Sequence, residues 1–350
     1  MGEERHEGTA APGHEGTEAR RHEGESTAPD ERAIERAAGL IRAGRLVAFP
    51  TETVYGLGAN ALDAAAVAAI FHAKGRPARN PIIVHVATVD AARALVREWP
   101  GAADVLARKF WPGPLTLVLL KAACVPDIVT AGGDTVAIRC PAHPVALALL
   151  QVAGVPIAAP SANRSNHISP TRAKHVRRSL GDRVDMVLDG GPTTSGIEST
   201  VVDLVRSPRR VLRLGPITPS EIAAALGEPV LSGAMIGDSG VRRSPGQLPR
   251  HYSPRAGVVL LQRGDVAAIG DAGAARVGWL ALADEHAVQP ANLTRIDMPP
   301  SPTEYAARLY DALHVLDAMS LERIFVTMPP DEEAWHAVRD RLARAAGTEA

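Results

Sequence analysis

The sequence has 350 residues, 46% apolar and 22% charged, with a formal net charge of −1. That is enough apolar material for one large domain or two smaller ones, but it supplies no global positive field to hold nucleic acid. Aromatic residues are only 3% of the chain, thin for a platform that stacks bases, and no run approaches the ~20 apolar residues of a membrane span. Cys124 and Cys140 form no CxxC pair, which argues against a disulfide framework or a structural zinc. Cys140 follows an apolar-alternating run and reads as a buried thiol. The N-terminus lacks an apolar h-region, so the expected location is the cytoplasm.

Residues 1–29 repeat His-Glu-Gly at His6, His14 and His22 in a background of Thr, Ala, Pro, Glu and Arg. Such a segment buries too little apolar surface to offset its ordering entropy and reads as a disordered tail; loose metal binding by its His-Glu pairs is the alternative. From Asp30 onward Ile34, Ala37, Ala38 and Ile41 follow helical spacing, and Gly44 stands where a C′ glycine belongs. A strand at 46–49 follows, then a helix that starts at Asp63, buries Val67, Ile70 and Phe71 and stops at Gly75. Further strands are expected at 81–87, 115–120, 135–140, 155–159, 185–189, 199–205 and 210–214. Thr218-Pro219-Ser220-Glu221 is a capping box with proline at N1 and opens a helix ending at Gly227. This pattern predicts an α/β domain over 30–230 built on a mixed, twisted sheet. Residues 231–256 read as a basic linker carrying Arg242, Arg243, Arg250, His251 and Arg255. Beyond it, strands at 258–261, 277–282 and 324–327 alternate with helices at 302–319 and 331–346, a small second α/β domain over 257–350 with no catalytic constellation visible in it.

No GxxxxGK[ST] loop, completed GxGxxG, HExxH or GxSxG occurs, so any nucleotide is held by other means. Polar residues instead gather at strand ends, where ligands of α/β sheets usually sit. Thr51, Glu52 and Thr53 follow the first strand in what alone would read as a glycine turn. Lys74 and Arg76 flank a glycine with Asn80 four residues on; they either complement a helix dipole or clamp phosphate oxygens. In the 81–87 strand Ile82, Val84 and Val86 share one face and His85 takes the other, beside Ile83. In 135–140 the same parity puts Arg139 with Thr135 and Ala137, opposite Val136, Ile138 and Cys140. A mid-strand arginine needs an anion, either a structural carboxylate or a substrate's. Ser161 and Asn163 directly follow another strand, and Ser169-Pro170-Thr171 reads as a helix N-cap with proline at N1. Arg213 is expected on the opposite face of its strand from Leu212 and Leu214. The common placement points to one cleft.

The order of these motifs resembles the YrdC-type threonylcarbamoyl-AMP synthases in their long, two-domain form. The matching runs are 49–60 (FPTETVYGLGAN), 74–85 (KGRPARNPIIVH), 111–116 (WPGPLT), 134–144 (DTVAIRCPAHP), 155–163 (VPIAAPSAN), 196–201 (GIESTV), 212–216 (LRLGP) and, in the linker, 244–254 (SPGQLPRHYSP). The resemblance implies a YrdC-like catalytic domain followed by a smaller, Rossmann-like C-terminal α/β domain. It implies that L-threonine, bicarbonate and ATP give threonylcarbamoyl-AMP and pyrophosphate, for N6-threonylcarbamoyladenosine modification of tRNA by a downstream transferase machinery. By similarity Thr53, His85, Arg139, Ala159 and Ser199 would hold L-threonine. Arg76, Asn80, Thr135, Ser161, Asn163, Ser169, Arg213 and Tyr252 would hold ATP, with Lys74 and Arg76 as the catalytic cations and Mg2+ carried mainly by the phosphates rather than by a protein metal site. The linker with Tyr252 would be a lid. Two other readings stand beside this one. An RNA-binding module of the same fold is disfavoured by the net charge. A carbamoyl-transfer domain of the hydrogenase-maturation kind would come with acylphosphatase and zinc-finger parts that are missing here. No stable nucleic-acid binding and no membrane partner are expected. Deleting residues 2–29 is expected to leave pyrophosphate release unchanged; a loss of activity would show that the tail takes part.

Overall fold

A computed structural model describes residues 30–233, 251–271, 275–282, 285 and 291–348. The His-Glu-Gly tail and the linker arginines Arg242, Arg243 and Arg250 lie outside the described residues. Helix α1 (Glu31–Arg42) forms where the spacing predicts it: Asp30 accepts from the Arg32 N–H at 3.1 Å, and Ile34, Ala37, Ala38 and Ile41 are buried. Ten strands then join one mixed sheet: β1 (Val47–Phe49), β2 (Gly56–Asn60), β3 (Ile83–His85), β4 (Leu115–Leu120), β5 (Thr135–Arg139), β6 (Ile157–Ala158), β7 (Met186–Val187), β8 (Thr200–Asp203), β9 (Arg210–Arg213) and β10 (Leu231–Ser232). Their order is β10-β9-β8-β4-β5-β3-β6-β2-β1-β7. Between them run α2 (Ala64–Lys74), α3 (Val89–Arg93), α4 (Gly101–Phe110), α5 (Pro144–Ala153), α6 (Ala173–Leu180) and α7 (Pro219–Leu226). The expected stops hold: Asp63 caps α2, Gly75 ends it in the left-handed region, and the Thr218–Glu221 capping box is formed on α7.

The sheet has two different faces, as the strand parity requires. Val84, Val136, Ile138, Leu117 and Leu119 belong to the main core, whereas Ile83, Ala137, Val118, Val201 and Leu212 form a small cluster on the other side. β3 and β5 are parallel and in a register that sets His85 opposite Arg139. Cys140 is buried as expected, and burial pushes its thiol up to about 11.

Two expectations change. Residues 56–60 form a strand rather than a turn, in spite of two glycines. A Cβ on Gly58 would stand 2.7 Å from the Phe49 ring and 2.8 Å from Ile157, so glycine here permits close packing inside a sheet. Ser169 does not cap a helix. α6 starts only at Ala173, because the Pro170 carbonyl accepts from the Tyr55 N–H at 2.8 Å and the Ser169 hydroxyl donates to Glu198 Oε1 at 2.6 Å. A carboxylate is a stronger acceptor partner for the hydroxyl than a helix N–H is a donor to it.

The second sheet holds β11 (Gly257–Leu261), β12 (Val277–Leu282), β13 (Leu293–Met298) and β14 (Arg323–Thr327), all parallel, in the order β11-β14-β12-β13. Around it run α8 (Ala267–Gly270), α9 (Pro302–Asp317) and α10 (His336–Ala346). β13 is the strand that hydropathy did not single out; its buried pattern is only partial. The apolar cluster on one side of this sheet is not closed on itself. Val54, Ile168, Ile197 and Tyr252 from the large-sheet side pack into it with Tyr305, Leu309, Tyr310 and Leu313 of α9.

That junction is tight at Gly196, which has φ +70° and where a Cβ would lie 2.3 Å from the Ala306 carbonyl of α9. Gly75 has a similar φ of +62° with nothing within 4 Å. Gly75→Ala is therefore expected to cost ~1 kcal/mol for the backbone conformation alone, and Gly196→Ala a further ~1–3 kcal/mol for overpacking. Denaturant titration of the two variants checks this, and equal losses would refute the contact.

Candidate active site

The β3–β5 register places the His85 and Arg139 side chains together, and Arg139 is almost wholly buried at 3% exposure. Its guanidinium is contacted from three directions. Nη1 donates to Thr53 Oγ1 at 2.8 Å, Nε donates to the Gly113 carbonyl at 3.2 Å, and Nη2 lies 2.7 Å from Glu52 Oε1. The other Glu52 oxygen accepts from the Ala142 N–H at 3.1 Å. Of the two anions the sequence left open, the structural carboxylate is present and is Glu52. The Nη2–Oε1 contact has the distance of an ion pair but not the angle of a good hydrogen bond, which leaves one edge of the fork free to turn toward a second anion. Thr53 Oγ1 also meets Thr51 Oγ1 at 2.8 Å, so the loop after β1 is tied to itself and to the arginine.

Three further cations, the buried Lys74 and Arg213 and the half-buried Arg76, have no carboxylate within ion-pair distance among the described residues. Lys74 Nζ donates to the Ser161 carbonyl at 2.6 Å and to that of Asn163 at 2.5 Å. Arg76 donates to the carbonyls of Asn80 (3.2 Å) and Pro81 (2.8 Å). Arg213 donates to the Ser199 carbonyl and hydroxyl, both at 3.0 Å. Burial and the neighbouring Arg76 charge hold Lys74 well below the usual lysine range. Burial and Arg213 hold Arg76 down to about 10; burial and the charges of Arg341 and Arg139 lower Arg213. Each cation is thus held where its own charge is disfavoured, which is the condition that an incoming anion relieves.

These groups gather around one open cleft. Nine of the sequence-expected residues line it: Thr53, Arg76, His85, Arg139, Ala159, Ser161, Ser199, Arg213 and Tyr252. Lys74, Asn80, Asn163, Ser169 and Thr135 stand behind or beside this wall. Lys74 and Asn163 brace the Ser161 turn, since Asn163 Oδ1 accepts from Ser161 Oγ at 2.6 Å and its Nδ2 donates to the His167 carbonyl at 2.7 Å. Asn80 keeps a buried Oδ1 with no partner among the described residues, as do His85 Nδ1 and His251 Nδ1. Orphaned polar atoms beside one cleft are what a ligand would satisfy. Thr135 begins β5, two positions before the Ala137–Ile83 pair and so near Pro81 and Arg76. Arg139 and Ser161 face the same cleft.

Sequence reasoning missed Glu52, Glu198 and the C-terminal contribution. Glu198 lines the cleft and is engaged on both oxygens: Oε1 accepts from Ser169, while Oε2 accepts from Arg341 Nε at 2.8 Å and the Tyr310 hydroxyl at 3.0 Å. Arg341 belongs to α10 and Tyr310 to α9, so the C-terminal domain braces this wall from behind. No local pattern signals a partner 143 positions away; only the GIESTV run hinted at Glu198. Tyr252 is buried at φ +61°, with Ser253 bridged to His167, so the chain returns from the linker across the mouth of the cleft. No group of three or more His, Cys, Asp or Glu is placed to hold a metal ion among the described residues, and no helix there is long and apolar enough to cross a membrane.

Comparison with known proteins agrees with the geometry. A family model described as "Telomere recombination" (Sua5/YciO/YrdC) matches residues 39–215, and one described as "Threonylcarbamoyl-AMP synthase, C-terminal domain" matches 217–347. The chain belongs to the Sua5-type threonylcarbamoyl-AMP synthase family. It is 42% identical to a Bacillus subtilis threonylcarbamoyl-AMP synthase over 90% of this chain and 93% of that one. It is 50% identical to one from Pyrococcus abyssi over 67% and 69%. The crystal structure of P. abyssi Sua5 complexed with L-threonine superposes with a TM-score of 0.82 at 41% identity, covering 91% of this chain and 95% of that one.

In this family member three imidazoles are buried neutral. His85 is held down to about 3 by burial and Arg139, His251 to about 3 by burial and Arg76, and His314 to about 3 by burial and His175. An unfolded chain's histidines take up protons near pH 6.5, so below that value the unfolded state binds more protons and stability falls with pH. Glu198 and Asp311, both held to about 2, add to the loss below about pH 4.5. The thermal midpoint is expected to be flat from pH 7 upward and to drop from about 6.5 down. A midpoint unchanged between pH 6.5 and 5 would contradict the buried neutral imidazoles.

Proposed function

We propose that the cleft condenses L-threonine, bicarbonate (or CO2) and ATP into threonylcarbamoyl-AMP and pyrophosphate, the activated intermediate for N6-threonylcarbamoyladenosine in tRNA. The observation that carries this reading is the group of cations with no carboxylate in ion-pair contact among the described residues, the half-buried Arg76 and the buried Arg213 and Lys74, beside the half-engaged Arg139. Triphosphate supplies the missing charge for the first group and an amino-acid carboxylate completes the second.

In this reading Arg139, Thr53, His85, Ala159 and Ser199 hold L-threonine, with the free edge of the Arg139 fork on the carboxylate. Arg76, Arg213, Ser161 and Tyr252 hold ATP; Asn80 and Thr135 lie toward the Arg76 end. Lys74, Asn163 and Ser169 act on the nucleotide by fixing the Ser161 turn and Glu198. Threonine's amine adds CO2 to give a carbamate, whose oxygen attacks the α-phosphate in line and expels pyrophosphate. No covalent enzyme intermediate is needed, so the work is positioning and charge neutralisation. A cation-rich cleft also disfavours an ammonium, which keeps the amine in the nucleophilic form. Glu52 and Glu198 are both taken by arginines, which fits a Mg2+ ion held through the phosphates; bound there it neutralises phosphate charge.

The same proposal includes the division of the chain into a catalytic domain over 30–230, a linker or lid over 231–256 and a small domain over 257–350. Two separate sheets and two family models meeting near residue 216 support it. Cytoplasmic location and delivery of the product to a tRNA threonylcarbamoyl-transferase machinery complete the reading. The alternative of an RNA-binding module is not favoured, since a relative matching 90% of this chain is named as a threonylcarbamoyl-AMP synthase. The test is mass spectrometry of the product formed from ATP, bicarbonate and each amino acid in turn. Threonylcarbamoyl-AMP is expected with L-threonine, and Arg139→Ala, which strands the buried Glu52 carboxylate, is expected to lose at least ~2 kcal/mol of transition-state binding, about 30-fold in rate. No adduct with threonine, or full activity in the variant, would overturn the assignment.

A further inference from the structure

One side chain from outside the catalytic sheet stands behind the cleft and touches two groups of its wall, Glu198 and Tyr252, and the strand end beside a third. Arg341, in α10, is 1% exposed. Its Nε donates to Glu198 Oε2 at 2.8 Å, its Nη2 donates to the Leu214 carbonyl at 2.8 Å, and its guanidinium carbon lies 5.3 Å from the centre of the Tyr252 ring. Nη1 is held by the adjacent Asp340 carboxylate at 2.7 Å. Each contact falls on or beside a residue of the proposed site. Glu198 precedes Ser199, Leu214 follows Arg213, and Tyr252 lines the cleft itself. Ser199 and Arg213 are in turn bonded to each other.

We propose that Arg341 is a positioning residue of the catalytic centre, by which the C-terminal domain sets the Glu198–Ser199 turn, the Arg213 strand end and the Tyr252 ring in one geometry. This rests on the functional reading given above, and it assigns the C-terminal domain a part in the reaction that neither sheet carries alone. Glu198 is not a base for substrate: its oxygens already accept from Ser169, Tyr310 and Arg341. Its role is to pass the position of α10 and α9 to the strand that carries Ser199. Tyr310 supports the same carboxylate and packs its ring 5.6 Å from that of Tyr252, so α9 and α10 converge on the same two wall groups.

The charge balance gives this arrangement a signature that plain stabilisation would lack. Glu198 is faced by Arg341 and Asp340 from α10, Tyr310 from α9, Arg213 from β9, Ser169, and the His251–Tyr252 pair. Burial would raise its affinity for a proton; Arg341 and then Arg213 hold it down to about 2. With Arg341 removed, the raising effect of burial is opposed mainly by Arg213, and Glu198 takes up a proton at a higher pH. Protonation of a wall carboxylate then appears in catalysis.

The experiment uses the full chain with Arg341→Met, Arg341→Lys, Glu198→Gln and the Arg341→Met/Glu198→Gln pair. It reads pyrophosphate release from pH 5 to 9, the affinity for a non-hydrolysable ATP analogue, and the thermal midpoint. Arg341→Met is expected to lower kcat/KM for ATP at least tenfold at pH 7.5 and to add a titration in the acid limb that the parent chain lacks. The double variant should lose that titration, and its defect should not exceed the larger single one, since the two groups act as a unit. Arg341→Lys, which keeps a charge on Glu198, should restore the parent pH profile while leaving part of the kcat loss. Variants with a lower thermal midpoint but parent kcat, KM, analogue affinity and pH profile would overturn the proposal, as would single defects that multiply in the double variant. The assay follows ATP and pyrophosphate whichever amino acid serves as acceptor. A wrong substrate thus shows in the parent chain, and a wrong role for Arg341 shows only in the comparison of variants.

Discussion

A guanidinium buried in the middle of a strand must be solvated by the protein or by a ligand, and the way Arg139 meets that demand lays out the rest of the cleft. Its three contacts draw in the loop after β1 through Thr53 and Glu52 and the turn before β4 through Gly113. The parallel β3–β5 register adds His85 beside it. Ser161 is brought to the same place by the bridge between Gly56 and Ser161, which ties the start of β2 to the end of β6. The cleft is therefore an outcome of strand register more than of any single loop. No glycine-rich phosphate loop is present; here Lys74, Arg76 and Arg213, the cations proposed to meet phosphate, are fixed by backbone carbonyls at strand and helix ends.

The wall is braced from behind by the far end of the chain. Glu198 is a buried carboxylate whose desolvation is offset by Arg341, Tyr310 and Ser169. Such a pair adds little net stability relative to apolar residues of the same shape, but removing one partner costs ~3–5 kcal/mol because the other is left uncompensated. Its consequence is specificity of arrangement. The two sheets can dock in the pose where Arg341 finds Glu198 and Gly196 admits α9, and other poses strand a charge or meet a clash. Stacked His175 and His314, with ring centres 3.9 Å apart, and the Arg172–Asp311 pair add polar contacts along the same α6–α9 seam.

Much of this was legible before any coordinates. The strand parity that sets His85 and Arg139 against apolar neighbours, the stop at Gly75 and the α7 capping box are local rules, and local rules survive folding. The misses have a common cause. Ser169 reads as a helix cap because its own neighbours fit a cap; the competing acceptor, Glu198, lies 29 residues away. The 56–60 strand is hidden because its glycines answer to Phe49 and Ile157 across the sheet and not to their own propensity. Glu52, read as part of a glycine turn, is committed to an arginine 87 positions on. β13 carries partial burial and so a weak alternation. Except at β13, a long-range partner overrides a sound local inference, and two of these partners, Glu198 and Arg139, line the cleft.

In the proposed reaction the electrostatics of the cleft also account for why the amino acid and the nucleotide belong together. Glu52 is paired with Arg139 and Glu198 with Arg341, so neither carboxylate makes an ion pair with Lys74, Arg76 or Arg213, although Glu198 partly offsets the Arg213 charge from farther off. An amino acid entering alone places its carboxylate well but sets its ammonium in a field that repels it. Losing that proton is the favoured response, and the free amine is the form that adds CO2. The carbamate that results carries a second negative charge into the same field, which stabilises a species prone to lose CO2 in water. Triphosphate meets the remaining cations, and its own charge falls as pyrophosphate leaves. The cations that hold the nucleotide thus also prepare the nucleophile, and one uncompensated patch serves both halves of the reaction without a dedicated general base.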